Sequence, residues 1–107
     1  MKYMHIRNHS KDGKLLPHGG FTVAYNINAD RTIEFAVAKC SKLDVYNKHR
    51  GREIAAGRLL KHKSGTIYLS EAERPVEAVA QAAYMVTNGL RNIPNCRGAY
   101  TWQLSLT

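Results

Sequence analysis

The stretch FTVAYNINADRTIEFAVAKCSKLDVYNKHRGREIAAGRLLKHK, residues Phe21 to Lys63, changes from a two-residue to a helical period, and that change decides the fold. Phe21, Val23, Tyr25 and Ile27 alternate with Thr22, Ala24, Asn26 and Asn28, a strand pattern rich in β-favouring residues. Asn28-Ala29-Asp30-Arg31 supplies turn formers, and Ile33, Phe35 and Val37 then resume the alternation, so the two strands should pair as an antiparallel hairpin. Ser41, with Asp44 three residues on, has the form of a capping box. It predicts a helix of about five turns, from near Lys42 to the break at Ser64-Gly65. Arg58, Lys61 and His62 suit its negative end.

At about 100° per residue, Leu43, Tyr46, Arg50, Ile54 and Gly57 share one side of that helix and form its expected buried stripe. Gly51 and Gly57 each cost about 1 kcal/mol against alanine in a helix interior, which points to close approach of another backbone or a ligand. Packing is the stronger of the two readings. An arginine on an apolar stripe needs a partner or a bound anion, because a dry, lone guanidinium costs several kcal/mol.

Outward from this passage, Met4 and Ile6 alternate with His5 and Arg7 as a short edge strand, followed by the polar loop NHSKDGKLLPHGG. Thr66 to Leu69 is a further short strand, and Pro75 stands in the first turn of a second helix. Val76, Val79, Ala80, Ala83, Val86 and Leu90 repeat at helical spacing, while Ala78, Ala82, Tyr84 and Met85 make the other sides apolar. This helix should be buried on more than one side, and a subunit contact, hence a homo-oligomer, is the favoured reason. Gly89, Asn92 and Pro94 end it, and Tyr100 to Leu106 alternate as a terminal strand. Residues 1–107 therefore read as one α+β domain: an antiparallel sheet with two helices packed on one face.

Composition narrows the function classes. The apolar share of 44% is that of an ordinary globular protein. No run approaches the roughly 18 apolar residues of a membrane helix, and MKYMHIRNHS has no apolar signal core, so a cytoplasmic location without membrane association is expected. Cys40 and Cys96 are too few for a disulfide scaffold, and the five histidines show no metal-ligand spacing. Neither a metal nor a cofactor is expected. The acids are scattered, with Glu71, Glu73 and Glu77 at a helix start, which disfavours a metal-dependent nuclease. Histidines in loops disfavour a metal-free phosphodiesterase, and Cys40 has no positioned base in the sequence pattern. A non-enzymatic role is expected.

Charge points to binding. Lys39 to Lys63 holds eight of the 16 basic residues against Asp44 and Glu53, which is +6 of the formal +8. Such density calls for an anionic partner. YNKHRGR places Tyr46, Asn47, Lys48, Arg50 and Arg52 within seven residues, offering charge for phosphate and a flat face for a base. Around a helix these cations point in widely different directions, which fits a pocket shared between subunits better than a duplex groove. A small nucleic-acid-binding or host-protein-binding module stays open as the alternative.

The passage from Thr32 to Leu60, TIEFAVAKCSKLDVYNKHRGREIAAGRLL, about a quarter of the chain, resembles a block of small bacteriophage proteins. In these a hairpin leads through Cys-Ser and an acid into a helix with Gly-Arg pairs. It resembles in particular the Thoeris anti-defence sponge family, oligomeric non-enzymes that sequester cyclic ADP-ribose-type immune signals and in some members cyclic oligonucleotides. The resemblance implies a phage counter-defence protein acting in the host cytoplasm, with Arg50, Arg52 and Arg58 on phosphates and aromatic side chains on adenine. Asn92 and Arg97, in the loop after the second helix, are candidate polar contacts by position alone.

Overall fold

The computed structural model describes residues 1–41, 43–69, 74–88 and 103–106. Five strands and two helices follow one another as β1 (Lys2–Ile6), β2 (Phe21–Ile27), β3 (Thr32–Lys39), α1 (Lys48–Lys61), β4 (Gly65–Tyr68), α2 (Pro75–Asn88) and β5 (Gln103–Leu106). The strands form one sheet in the order β1-β2-β3-β4-β5, with every neighbouring pair antiparallel. The α+β class and the antiparallel sheet are those expected from the sequence.

The β2–β3 hairpin closes as its turn chemistry predicts. Asn28 N donates to Thr32 O at 2.8 Å and Arg31 N to Asn28 O at 3.2 Å. Asp30 Oδ1 accepts from the Thr32 hydroxyl at 2.6 Å and from its amide at 3.2 Å. The hydrogen bonds from Thr32 hold the Asp30 carboxyl below its ordinary pKa.

The helices lie on opposite faces of the sheet, not on one. Val23, Tyr25, Ile33, Phe35 and Ile67 point to the side covered by α2, where Ala78, Val79, Ala82 and Ala83 pack against them. Full burial of side chains such as Phe35, Ile33 and Ile67 contributes about 1.5–3 kcal/mol apiece. On the reverse side Ala24, Ala36 and Ala38 pack against Ala55 and Leu59 of α1. The alternate positions under α1 include Ala24, Ala36 and Ala38, small enough to admit a helix close to the backbone. Both faces of β2 and β3 are covered for that reason.

The burial of α2 is one-sided in the chain: Ala78, Val79, Ala82 and Ala83 face the sheet, while Glu77, Gln81, Val76 and Tyr84 are exposed. Pro75 begins this helix as expected. The sequence expectations for Asn92, Arg97 and the segment from Gly89 to Trp102 lie outside the described residues.

Helix α1 starts six residues later than the capping-box reading placed it. Its N-cap is Asn47, whose side chain accepts from Arg50 N at 3.1 Å. Ser41 instead closes a local turn, its Oγ accepting from Leu43 N at 3.2 Å and its carbonyl from Asp44 N at 3.1 Å. The following residues are held extended, with Tyr46 N donating to Pro17 O at 2.8 Å and a bridge between His18 and Val45. The buried stripe is correspondingly shifted to Ala55 and Leu59, and Leu43 is 89% exposed.

The two glycines of α1 separate cleanly. A Cβ on Gly51 would collide with Thr22 Oγ1 and come within 3.0 Å of Thr22 Cβ, so this turn of the helix lies directly on β2. A Cβ on Gly57 would meet nothing within 4 Å, so close approach explains only the first. Gly51→Ala should destabilise the fold by about 1–3 kcal/mol through overpacking. Gly57→Ala should stabilise it by up to about 1 kcal/mol through helix propensity. Chemical denaturation of the two variants beside wild type checks the contrast, and equal effects would contradict the packing described.

Candidate functional site

The carboxy-terminal end of β3 extends past β4, and Ser64 and Arg58 satisfy the exposed ladder. Ser64 N donates to Phe35 O at 2.8 Å, Val37 N donates to Ser64 Oγ at 3.0 Å, and Arg58 Nη1 donates to Val37 O at 2.7 Å. Arg58 therefore ties α1 to the sheet. Its guanidinium stands apart from the other candidate ligand contacts.

Tyr46, Asn47 and Arg50 do come together. They line a cleft of about 540 Å³ between the first turns of α1, the loop after β3 and the sheet, with Lys39 and Asp44 also on its wall. Thr22, Ala38 and Gly51 complete its lining on the sheet and helix sides. Arg50 is exposed and has no ion-pair partner among the described residues, so the helical stripe that was expected to bury it, and with it the need for a partner or a bound anion to offset burial, is not what the fold contains. A solvated guanidinium keeps its hydration and avoids the burial cost, while remaining free to meet an anion. The only described acid on this cleft is Asp44; Glu53 on α1 meets His49 at 2.8 Å, and Glu34 meets Lys63 at 3.7 Å.

Lys48 and Arg52 lie on the neighbouring side of α1, towards β1. Here the sequence reading missed a cluster built on His5. Its Nδ1 lies 2.8 Å from the Tyr46 hydroxyl and 3.1 Å from Thr22 Oγ1, and Arg52 Nε donates to its Nε2 at 3.4 Å. Because arginine can only donate, Nε2 must be the acceptor and Nδ1 carries the proton. The Tyr46 hydroxyl also lies 3.0 Å from Thr22 Oγ1 and donates to Phe21 O at 3.4 Å. Arg7 stacks over the Tyr46 ring, with Cζ 5.0 Å from its centroid, and donates from Nη2 to Leu16 O at 3.0 Å. The period-two pattern of β1 put His5 and Arg7 on one face; nothing local in the sequence said that Thr22 and Tyr46 would meet them there.

Gly20 makes this convergence sterically feasible. It has φ +90°, and a Cβ there would lie 2.7 Å from Ile6 O and 3.2 Å from Tyr46 Cδ2. A larger residue would push the Tyr46 ring off its bed. Cys40 is half-buried beside this loop, with Sγ 3.6–3.8 Å from the carbonyl oxygens of Ser41, Asp44 and Val45. Those acceptors suit a thiol hydrogen.

The site as a whole can hold an anion against Arg50, Lys39 and the Asn47 side of the helix start, beside the edge of Tyr46. Among the described residues no group of three or more histidines, cysteines or acids is placed to hold a metal ion. No helix among them is long and apolar enough to cross a membrane.

Partial burial, then the charges of Arg52 and Lys48, lower the pKa of His5. The neutral form is favoured in the folded chain, so the contribution of His5 to stability is present above the unfolded value of about 6.5 and is lost as pH falls through that value towards the folded pKa. Thermal unfolding between about pH 7.5 and about pH 5.5 should therefore show a drop in melting temperature for wild type that is smaller in His5→Asn. Equal drops would detach His5 from the pH response. In comparisons with protein-family models, curated proteins and solved structures, nothing matches this chain.

Proposed function

We propose that the protein binds and sequesters a nucleotide signal of the cyclic ADP-ribose type, or a cyclic oligonucleotide, without turnover, as a phage counter-defence protein in the host cytoplasm. The observation that carries this reading is the cleft at the start of α1, where Arg50 has no ion-pair partner among the described residues and stands with Lys39, Asn47 and Tyr46. Guanidinium and ammonium supply charge for phosphates, the asparagine a polar contact, and the tyrosine a ring edge for a base.

Further support comes from the distribution of charge. Lys48, Arg50 and Arg52 are exposed on successive sides of the same two turns, and no acid pairs with them among the described residues. A ligand with several phosphates, or a site completed by another copy of the chain, would use cations spread in this way. A homo-oligomer is part of the proposal, with the exposed Val76 of α2 available for its contacts. The resemblance of Thr32–Leu60 to the sponge family adds the ligand class. Sequestration requires a dissociation constant well below the signal concentration, on the order of nanomolar or about −12 kcal/mol.

Isothermal titration of wild type and Arg50→Gln with cyclic ADP-ribose isomers and cyclic oligonucleotides tests the reading. Wild type should bind one of them at nanomolar concentration, and Arg50→Gln should weaken it at least about tenfold, since a charge-assisted contact contributes about 1.5–3 kcal/mol. Binding no tighter than micromolar would contradict sequestration. DNA binding that falls steeply with salt, with no response to any cyclic nucleotide, would favour the nucleic-acid-binding alternative, for which the same exposed cations are the support.

A further inference from the structure

A second, larger cleft of about 990 Å³ opens at the same end of the sheet, between the 8–20 loop, β1, β2 and the last turns of α2. None of its lining residues comes from α1, and it shares only Lys39 and Cys40 with the cleft beside Arg50. Its chemistry is one-sided. Arg7 and Lys39 line it together with the imidazoles of His5, His9 and His18, and no aspartate or glutamate does among the described residues. Two cations and the protonatable His9 and His18 around one opening, without an acid among the described residues to neutralise them, favour an anion on Coulomb grounds.

Two further features separate this cleft from a merely basic surface. Arg7 Nε is buried and has no hydrogen-bond partner among the described residues, although its Nη2 is used by Leu16 O. Arg7 is thereby fixed at the cleft wall by Leu16 O and by its stacking on Tyr46. Beside Asn8 and Thr87, the rest of the lining is largely apolar and aromatic: Ile6, Leu16 and Pro17 stand with Phe21 and Tyr84, whose rings meet edge to face at 6.2 Å and 77°. The 8–20 wall is held in place by Leu16 N donating to Asn8 O at 2.9 Å, Ser10 N to Lys14 O at 2.9 Å and the His9–Leu15 bridge. A preformed concavity of this size with mixed cationic and aromatic walls has the dimensions of a nucleotide-sized ligand.

We propose that this cleft is a second binding site, for a small phosphorylated molecule carrying a planar ring, with the phosphate met by Arg7, Lys39, His9 and His18 and the ring by the exposed Tyr84, which the buried Phe21 backs. The site is independent of the Arg50 cleft and goes beyond the sequestration reading. Its occupancy does not require that reading to hold.

The test is an amide chemical-shift titration of the full chain with ADP and, separately, with inorganic pyrophosphate. ADP should shift the amides of Asn8, His9, His18 and Thr87 saturably, and should bind about tenfold tighter than pyrophosphate, since ring stacking adds to the phosphate contact. His9→Gln combined with His18→Gln should weaken ADP about tenfold while sheet amide shifts stay unchanged, which shows the fold intact. Arg50→Gln should leave the shifts at these amides in place. Loss of them in Arg50→Gln, or shifts confined to residues 44–54, would assign the ligand to the other cleft and overturn the proposal. It is equally overturned by the absence of any saturable shift, by pyrophosphate binding as tightly as ADP, or by full affinity in the double histidine variant.

Discussion

The contact between Gly51 and Thr22 is the constraint on which the functional end of the molecule depends. With no side chain at Gly51, the second turn of α1 rests on β2 at a distance that even a methyl group would violate. Thr22, pressed by that turn, presents its hydroxyl to both Tyr46 and His5. Tyr46 then supports Arg7, and Asn47 next to it caps the helix. Helix seating, loop path and the orientation of the cationic side chains are consequently one coupled arrangement in which neighbours share partners, the situation in which substitutions cease to be additive.

Much of this fold is legible in the sequence because β2 and β3 carry large apolar residues at strict alternation and a turn with defined chemistry between them. The edge strand, the turn at Asn28–Arg31 and Pro75 at the head of α2 follow from equally local signals. The opposite placement of the helices was not legible. Ala24, Ala36 and Ala38 occupy the alternate positions, and alanine reads as neutral in a strand pattern until a helix is seen to cover it. The start of α1 was misplaced because Ser41 offers a capping oxygen that a nearer turn consumes, while backbone bonds from the 17–20 loop hold Val45 and Tyr46 extended. Long-range pairing overrode a local signal.

The same limit applies to the site. Clustering in sequence brought Tyr46, Asn47 and Arg50 to notice, and they share a cleft. Arg58, from the same run, spends its guanidinium on the backbone of β3. Lys39 opens the basic run itself, whereas His5 and Arg7 joined the site only through strand register and loop closure, which no spacing rule along the chain encodes. Cations outnumber acids at this end: Glu53 and Glu34 are engaged elsewhere, and Asp44 is the one described acid on either cleft beside Arg7, Lys39 and Arg50. An excess of this kind costs self-repulsion in the free chain and is relieved by an anionic ligand.

Native mass spectrometry of the wild-type protein mixed with cyclic ADP-ribose isomers addresses the central claim most directly, because it reads subunit number, ligand ratio and ligand integrity in one spectrum. The account predicts a defined oligomer carrying intact cyclic ligand in a fixed ratio that persists on prolonged incubation. A spectrum of unliganded monomer, or of ligand that has gained the mass of water, would contradict it.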